Sequence, residues 1–124
     1  MLYVEDNPAN LRFMQDLLEE VPGFRLIAAP TAEQGLALAE RHRPALVVMD
    51  VNLPGMSGID AVRRLKSNPD TAAVPVVALS ADATRRTIDR GLAAGFSAYL
   101  CKPVDVEELI HTIRSLTEGN GVEA

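Results

Sequence analysis

Charged and hydroxyl-bearing residues closely follow four short apolar runs of this sequence. Glu5 and Asp6 follow one run, and Asp50, Ser80 and Lys102 follow three others. Three carboxylates held close together repel one another, which raises at least one pKa unless a divalent cation or a lysine lies beside them. Hard oxygen ligands with room for water suit Mg²⁺. A carboxylate nucleophile beside Mg²⁺, a lysine and a hydroxyl would form a phosphoryl-transfer site.

The elements that must position these residues alternate between short apolar runs and longer amphipathic stretches. The runs are Leu2–Val4, Phe24–Ala29, Ala45–Met49, Val76–Leu79 and Ala98–Leu100. The third and fourth are apolar throughout, which is typical of strands buried on both faces of a parallel sheet. Alternating strands and helices predict right-handed βαβ units, and therefore an α/β fold with helices on both faces of one sheet.

Capping signals predict where several intervening helices begin. The signals are Asn7 before Pro8, Thr31 three residues before Gln34, and Asp105 three residues before Glu108. Gly58–Lys66 and Thr84–Ala94 are predicted as the third and fourth helices, and the fourth is expected to end at Gly95.

The predicted sheet brings the polar residues at the run ends to one place. In an open α/β sheet, ligands bind outside the carboxyl ends of the strands, near the point where strand order reverses. The sequence contains no glycine-rich GxxxxGK[ST] phosphate loop, so ATP is not expected as the direct phosphoryl donor. We expect the donor to carry an already activated phosphoryl group.

Composition narrows the classes of function. A chain of 124 residues fits a single domain, and a net charge of −5 disfavours binding to nucleic acid. No apolar run approaches the roughly 20 residues that span a bilayer, and no secretory signal is recognised at the start. The single cysteine, Cys101, cannot form an intrachain disulfide, which fits a cytoplasmic location.

Four segments of this sequence resemble those of bacterial response-regulator receiver domains. The segments are Tyr3–Asn7, Val48–Gly58, Ala78–Ala81 and Tyr99–Pro103. They occur in the expected order, and the resemblance covers a receiver domain over residues 1–118, with 119–124 expected to be a frayed tail. It implies a flavodoxin-like (βα)5 three-layer sandwich with a five-stranded parallel sheet of order 2-1-3-4-5.

The resemblance also implies how the acidic residues are used. Asp50 would be the phosphoacceptor and would attack a phosphohistidine of a histidine kinase or of a histidine phosphotransfer domain. Asp6 and Asp50 would bind Mg²⁺ (or Mn²⁺) directly, and Glu5 would act mostly through water. The backbone carbonyl of Asn52 would complete the protein ligands.

The remaining site residues would bind and sense the phosphoryl group. Lys102 would contact the phosphoryl oxygens, and its bond to Pro103 would be cis. Ser80 would swing toward the phosphoryl group while Tyr99 turns inward, which would change the face formed by helix 4, strand 5 and helix 5. The same face could also hold a homodimer. The domain would catalyse only its own phosphorylation and slow dephosphorylation.

Three alternative functions compete with this one, and the sequence disfavours the first two. A phosphatase of the haloacid-dehalogenase type needs an acidic residue two positions beyond its nucleophile, where this chain has Asn52. An FMN protein needs a phosphate-binding loop after the first strand, where Glu5 and Asp6 place negative charge. A degenerate receiver, acting as a phosphorylation-independent interaction module, remains the main alternative. The residues Leu2–Leu11 especially resemble the start of receiver domains that are fused to hybrid kinases. This resemblance favours a receiver segment of a hybrid sensor histidine kinase over a stand-alone regulator.

Overall fold

The computed structural model describes residues 1–53, 55–82 and 84–122, with side chains described through Thr117. The strands are β1 (Leu2–Val4), β2 (Ile27–Ala29), β3 (Val47–Asp50), β4 (Val76–Ser80) and β5 (Ala98–Cys101). The helices are α1 (Pro8–Glu19), α2 (Ala32–His42), α3 (Gly58–Ser67), α4 (Arg85–Ala94) and α5 (Val106–Val122). The tail predicted over 119–124 overlaps the end of α5, and residues 123–124 lie outside the described part of the chain.

The strands form one parallel sheet in the order β2-β1-β3-β4-β5. The predicted fold class and strand order are therefore confirmed. From β1 the chain first adds β2 on one side and then returns to add β3 on the other side. This reversal of direction beside β1 and β3 creates the crevice in which such sheets bind ligands.

Alternate residues of each strand face opposite layers of the core. Leu2 and Val4 pack with α2 and α3 on one face, whereas Tyr3 packs with α1 and α5 on the other. Because successive side chains of a strand point to opposite faces, a strand covered on both sides must be apolar almost throughout. The continuous apolar composition of the central strands thus follows from the three-layer architecture.

The second strand is shorter than the sequence predicted. The apolar run Phe24–Ala29 is strand only over Ile27–Ala29, and these three residues pair with the three residues of β1. Phe24 and Leu26 instead pack against the core layer of α1 and α5 from the connection that precedes β2. Since β2 lies at the sheet edge and has β1 as its partner, the length of β1 limits its own length.

The predicted capping signals are confirmed by hydrogen bonds. Asn7 Oδ1 accepts from the backbone N–H of Ala9, Thr31 from that of Gln34, and Asp105 from that of Glu108. Gly95 ends α4 with a φ of 131°, in a region that glycine adopts at little steric cost. Within the described residues, no helix combines the length and apolar composition needed to cross a membrane.

Candidate functional site

The register of the sheet places the predicted site residues at one edge. Val4 pairs with Met49, so the next residues, Glu5 and Asp50, lie side by side, with Glu5 just beyond β1 and Asp50 as the last residue of β3. Lys102 follows the last residue of β5. The convergence expected from the order of the elements is therefore present, and it depends on the parallel register of neighbouring strands.

Lys102 joins two carboxylates from different strands. Its Nζ lies 2.8 Å from Asp50 Oδ2 and 3.6 Å from Glu5 Oε1. Glu5 is 1% exposed and Asp50 is 8% exposed, so both acids lie largely out of water. We refer to Glu5, Asp50 and Lys102 as the charged cluster. The bond from Lys102 to Pro103 is cis, as the resemblance implied.

The two carboxylates keep Lys102 in its charged form. Burial disfavours the ammonium, but the hydrogen bond and charge of Asp50, together with the charge of Glu5, outweigh that effect and raise the pKa of Lys102. The cluster thus contains a permanent cation at neutral pH. An ammonium in this position can pair with Asp50 or with an anionic group that arrives at it.

Glu5 is held by donors that sequence reasoning missed. Tyr3 donates its hydroxyl to Glu5 Oε1 at 3.2 Å, and the side-chain amide of Asn10 donates to the same oxygen at 2.8 Å. The backbone N–H groups of Asp6 and Asn7 point to Oε2. The signal available in the sequence was a hydroxyl within a strand that is otherwise aliphatic, and an asparagine in the first turn of the following helix.

Tyr3 remains a donor over the whole working range of pH. Burial is the main cause that raises the pKa of its hydroxyl, and the negative charge of Glu5 adds to the shift. Tyr3 is 2% exposed and lies on the face of β1 that packs against α1 and α5. Its ring therefore belongs to the core, while its hydroxyl reaches the site.

The other predicted metal ligands lie beside the cluster. Asp6 is exposed on the loop after β1, and the backbone N–H of Asn52 donates to Asp50 Oδ1 at 2.9 Å. No group of three or more His, Cys, Asp or Glu residues within the described residues has the spacing of a metal site. The structure therefore brings Glu5 and Asp50 together around Lys102, and it leaves Asp6 at the rim.

The donor set nevertheless suits a hard divalent cation. Three carboxylates against one ammonium leave two negative charges without a partner among Glu5, Asp6, Asp50 and Lys102. Mg²⁺ prefers oxygen ligands and usually keeps several waters, so one or two carboxylates suffice to bind it. Asp6 and Asp50 are the side chains that would hold such a cation, because the Glu5 oxygens already accept four hydrogen bonds.

Ser80 on β4 and Tyr99 on β5 both form hydrogen bonds with the backbone of Asp82. Ser80 is fully buried at the end of β4, and its Oγ accepts from the backbone N–H of Asp82 at 3.0 Å. Tyr99, on β5, donates its hydroxyl to the backbone carbonyl of Asp82 at 2.9 Å. Its ring also packs edge-on against Phe96. The two residues predicted to sense the phosphoryl group are thus connected through one loop residue.

The side chain of Asp82 ties the same loop to α4. Its carboxylate accepts from the backbone N–H of Thr84 at 3.0 Å and from the Thr87 hydroxyl at 2.9 Å. These hydrogen bonds lower the pKa of Asp82, with Thr84 contributing more than Thr87. We refer to Ser80, Asp82, Thr84, Thr87 and Tyr99 as the switch segment, after the role that the sequence resemblance predicts for Ser80 and Tyr99.

Comparison with known proteins finds similar sequences and structures among response regulators and receiver domains. The sequence profile described as "Response regulator receiver domain" matches residues 1–114. The polar-differentiation response regulator DivK of Brucella anthropi is 36% identical over 115 residues, which cover 93% of each chain.

Two solved structures that resemble this chain are receiver domains of histidine kinases. The one from Syntrophus aciditrophicus has a TM-score of 0.86 and 29% identity, and the alignment covers 95% of this chain and 89% of that one. The one from a sensor histidine kinase of Pseudomonas aeruginosa has a TM-score of 0.85 and 32% identity, over 94% of this chain and 95% of that one. The latter has a magnesium ion coordinated in its active-site cleft.

Proposed function

Because this chain belongs to the response regulator receiver domain family, we propose that it accepts a phosphoryl group on Asp50 in a His-Asp phosphorelay. The observation that carries the proposal is the position of Asp50 within the charged cluster. Its carboxylate is largely buried, its Oδ2 is paired with Lys102 at 2.8 Å, and its Oδ1 accepts from the backbone N–H of Asn52. These contacts orient a carboxylate that would act as a nucleophile.

The proposed reaction transfers one phosphoryl group without a change in oxidation state. A bond forms between an Asp50 oxygen and phosphorus, while the bond between phosphorus and the imidazole nitrogen of a partner's phosphohistidine breaks. Lys102 would leave Asp50 as that bond forms and would neutralise charge on the phosphoryl oxygens. A bound Mg²⁺ ion would supply further neutralisation of that charge, and Asp6 and Asp50 are its proposed ligands.

The response to phosphorylation is proposed to pass through the switch segment. Ser80 is buried and directly follows Leu79, the β4 partner of Asp50. Its hydroxyl accepts from the N–H of Asp82, while Tyr99 donates to the carbonyl of the same residue. A phosphoryl group that draws the Ser80 hydroxyl toward it would break the first of these hydrogen bonds. The change would then reach α4 and Tyr99, so the proposed output face is that of α4, β5 and α5.

The proposed partners are a histidine kinase or a histidine phosphotransfer domain in the cytoplasm. The receiver domains of two histidine kinases resemble this chain along most of its length, which supports a segment of a hybrid kinase. The proposed activity is limited to the domain's own phosphorylation and slow loss of the phosphate. We propose no direct contact with nucleic acid, in keeping with a net charge of −5.

The test is a measurement of intact mass after incubation with Mg²⁺ and acetyl phosphate or phosphoramidate. Wild type should gain one phosphoryl group of about 80 Da, and Asp50→Asn should gain none. Asp16→Asn is the matched control, since it removes the same charge from an exposed position on α1. An adduct that persists in Asp50→Asn would refute the assignment of Asp50. No adduct in any variant, with no Mg²⁺ binding, would favour the degenerate interaction module.

A further inference from the structure

Asn10 makes a contact with the charged cluster that the phosphoacceptor role does not itself require. Its side-chain amide donates to Glu5 Oε1 at 2.8 Å, as short as the bond between Lys102 and Asp50. In a capping box, the third helical residue accepts the N–H of the N-cap residue. Here Glu5 accepts the N–H of the N-cap residue Asn7, and Asn10 donates to Glu5 instead.

The hydrogen bonds of Glu5 fill its capacity as an acceptor. A carboxylate offers about four lone-pair positions. Asn10 and Tyr3 occupy Oε1, while two backbone N–H groups occupy Oε2. Lys102 Nζ lies 3.6 Å from that same Oε1 but 2.8 Å from Asp50 Oδ2. The ammonium is within ion-pair range of both carboxylates and hydrogen-bonds to the one whose oxygen has room for it.

We propose that Asn10 is a positioning residue, whose amide occupies Glu5 Oε1 and so keeps the Lys102 ammonium on Asp50. The inference rests on the proposed phosphoacceptor role of Asp50. If the amide is removed, an oxygen of a buried carboxylate loses its shortest hydrogen bond, and a small movement of Lys102 would replace it. Lys102 would then be shared between Glu5 and Asp50, and less of it would be available to a phosphoryl group.

The variant Asn10→Leu tests this inference, because leucine has nearly the same size and donates no hydrogen bond. At saturating Mg²⁺, phosphorylation from phosphoramidate should slow by about tenfold, the factor expected for loss of one hydrogen bond to a charged group. Affinity for beryllofluoride, an analogue of the phosphoryl group, should fall by a similar factor when measured by ¹⁹F NMR. Affinity for Mg²⁺ alone, measured by calorimetry, should stay within about twofold because Asp6 and Asp50 are retained.

Two controls separate positioning from general damage to α1. Gln15→Leu removes an exposed amide from the same helix and should leave all three measurements unchanged. In a Glu5→Gln background, Asn10→Leu should cause little additional slowing, because the competing charge on Glu5 is already gone. Such non-additivity is the signature of a residue that acts through Glu5.

Three results would overturn the inference. One is an Asn10→Leu variant that is phosphorylated and binds beryllofluoride like wild type, and another is equal slowing in the Glu5→Gln background. The third is a parallel loss of Mg²⁺ affinity and thermal stability, which would make the role structural. If wild type accepts no phosphoryl group, the proposed function fails, and a crystal structure of Asn10→Leu decides the inference. Lys102 hydrogen-bonded to Glu5 would support it, and Lys102 still nearer to Asp50 would contradict it.

Discussion

The charged cluster and the switch segment share one edge of the sheet but are stabilised differently. In the cluster, Glu5 and Asp50 are buried, and the donors to their oxygens come from β1, the start of α1, the loop after β3 and Lys102. In the switch segment, Ser80 is buried, whereas Asp82 and Thr84 are exposed. Buried charges are costly to leave without partners, while exposed hydrogen bonds exchange readily with water.

Under the proposed function, this difference would separate the place of reaction from the place of response. The cluster already contains an oriented carboxylate and a cation, to which the proposed phosphoryl group would bind. The switch segment is connected through the backbone of Asp82, so a change at Ser80 reaches Tyr99 through one residue. The cluster should therefore be sensitive to substitution and the switch segment tolerant of it, and three substitution experiments test that contrast.

The largest effect is expected from Lys102→Met, which removes the cation of the cluster and keeps much of its aliphatic chain. Phosphorylation should slow by about 100-fold, as when one charge-stabilising donor is removed from an active site. Without Mg²⁺ the free energy of unfolding should fall by about 2 kcal/mol, because two buried carboxylates lose their shared partner. Mg²⁺ should restore more stability to the variant than to wild type.

Urea titrations with and without Mg²⁺ measure that difference in stability. Arg114→Met, which removes an exposed cation from α5, is the matched control and should respond to Mg²⁺ like wild type. If Mg²⁺ stabilises Lys102→Met and wild type equally, the ammonium and the metal do not neutralise the same carboxylates, and the contrast between the two regions loses its electrostatic basis.

A pair of glycines gives an intermediate test of the same contrast. A Cβ at Gly58 would lie 2.8 Å from Val51 Cα and 2.9 Å from the carbonyl oxygen of Asp50, and this backbone has little room to move. Gly58→Ala should therefore destabilise the fold by about 2 kcal/mol and slow phosphorylation. A Cβ at Gly91 would lie 3.1 Å from ring atoms of both Phe96 and Tyr99. Side-chain rings can move by a few tenths of an ångström more readily than backbone, and helix propensity favours alanine by about 1 kcal/mol.

Chemical denaturation of the two alanine variants provides the comparison. Gly91→Ala should stay within about 1 kcal/mol of wild type, with Tyr99 displaced and the cluster intact. Equal destabilisation by both substitutions would show that the switch segment is packed as rigidly as the charged cluster.

The smallest effect is expected from the acid titration of Asp82. Hydrogen bonds from Thr84 and Thr87 hold its pKa below the usual value of 3.8. A lowered carboxyl pKa gives a contribution to stability that is present above that usual value and is lost as the pH falls through the lowered value. The amide shifts of Thr84 and Thr87 should therefore titrate with a midpoint below 3.8 in NMR spectra, and this titration should vanish in Asp82→Asn. A midpoint at or above 3.8 would contradict the hydrogen bonds by which Thr84 and Thr87 stabilise the Asp82 carboxylate.

The architecture could be predicted from the sequence because apolar runs and capping residues are local signals. The central strands are apolar throughout, since both of their faces are buried, and the caps at Asn7, Thr31 and Asp105 form hydrogen bonds within a few residues. The predicted extent of β2 was wrong, because Phe24 and Leu26 are apolar for a different reason: they pack against the core layer of α1 and α5. Periodicity alone does not separate a buried strand from a buried connection.

The site was predictable only to the level of which residues converge. Glu5, Asp50 and Lys102 could be placed together because parallel strands end at one edge of a sheet. The roles of Tyr3 and Asn10 depend on how α1 packs against β1, and the position of Asp82 between Ser80 and Tyr99 depends on the path of one loop. Such hydrogen bonds are set by tertiary geometry, and residue type and spacing do not encode them directly.

The most direct measurement is to locate the phosphoryl group on the wild-type chain. After incubation with phosphoramidate and Mg²⁺, reduction with borohydride converts an aspartyl phosphate to homoserine, and peptide mass spectrometry reads the position. We expect homoserine at position 50, formed only in samples that contained Mg²⁺ and donor. Homoserine at another aspartate, or an acid-labile phosphoryl group on His42 or His111, would contradict the assignment of Asp50 as the phosphoacceptor.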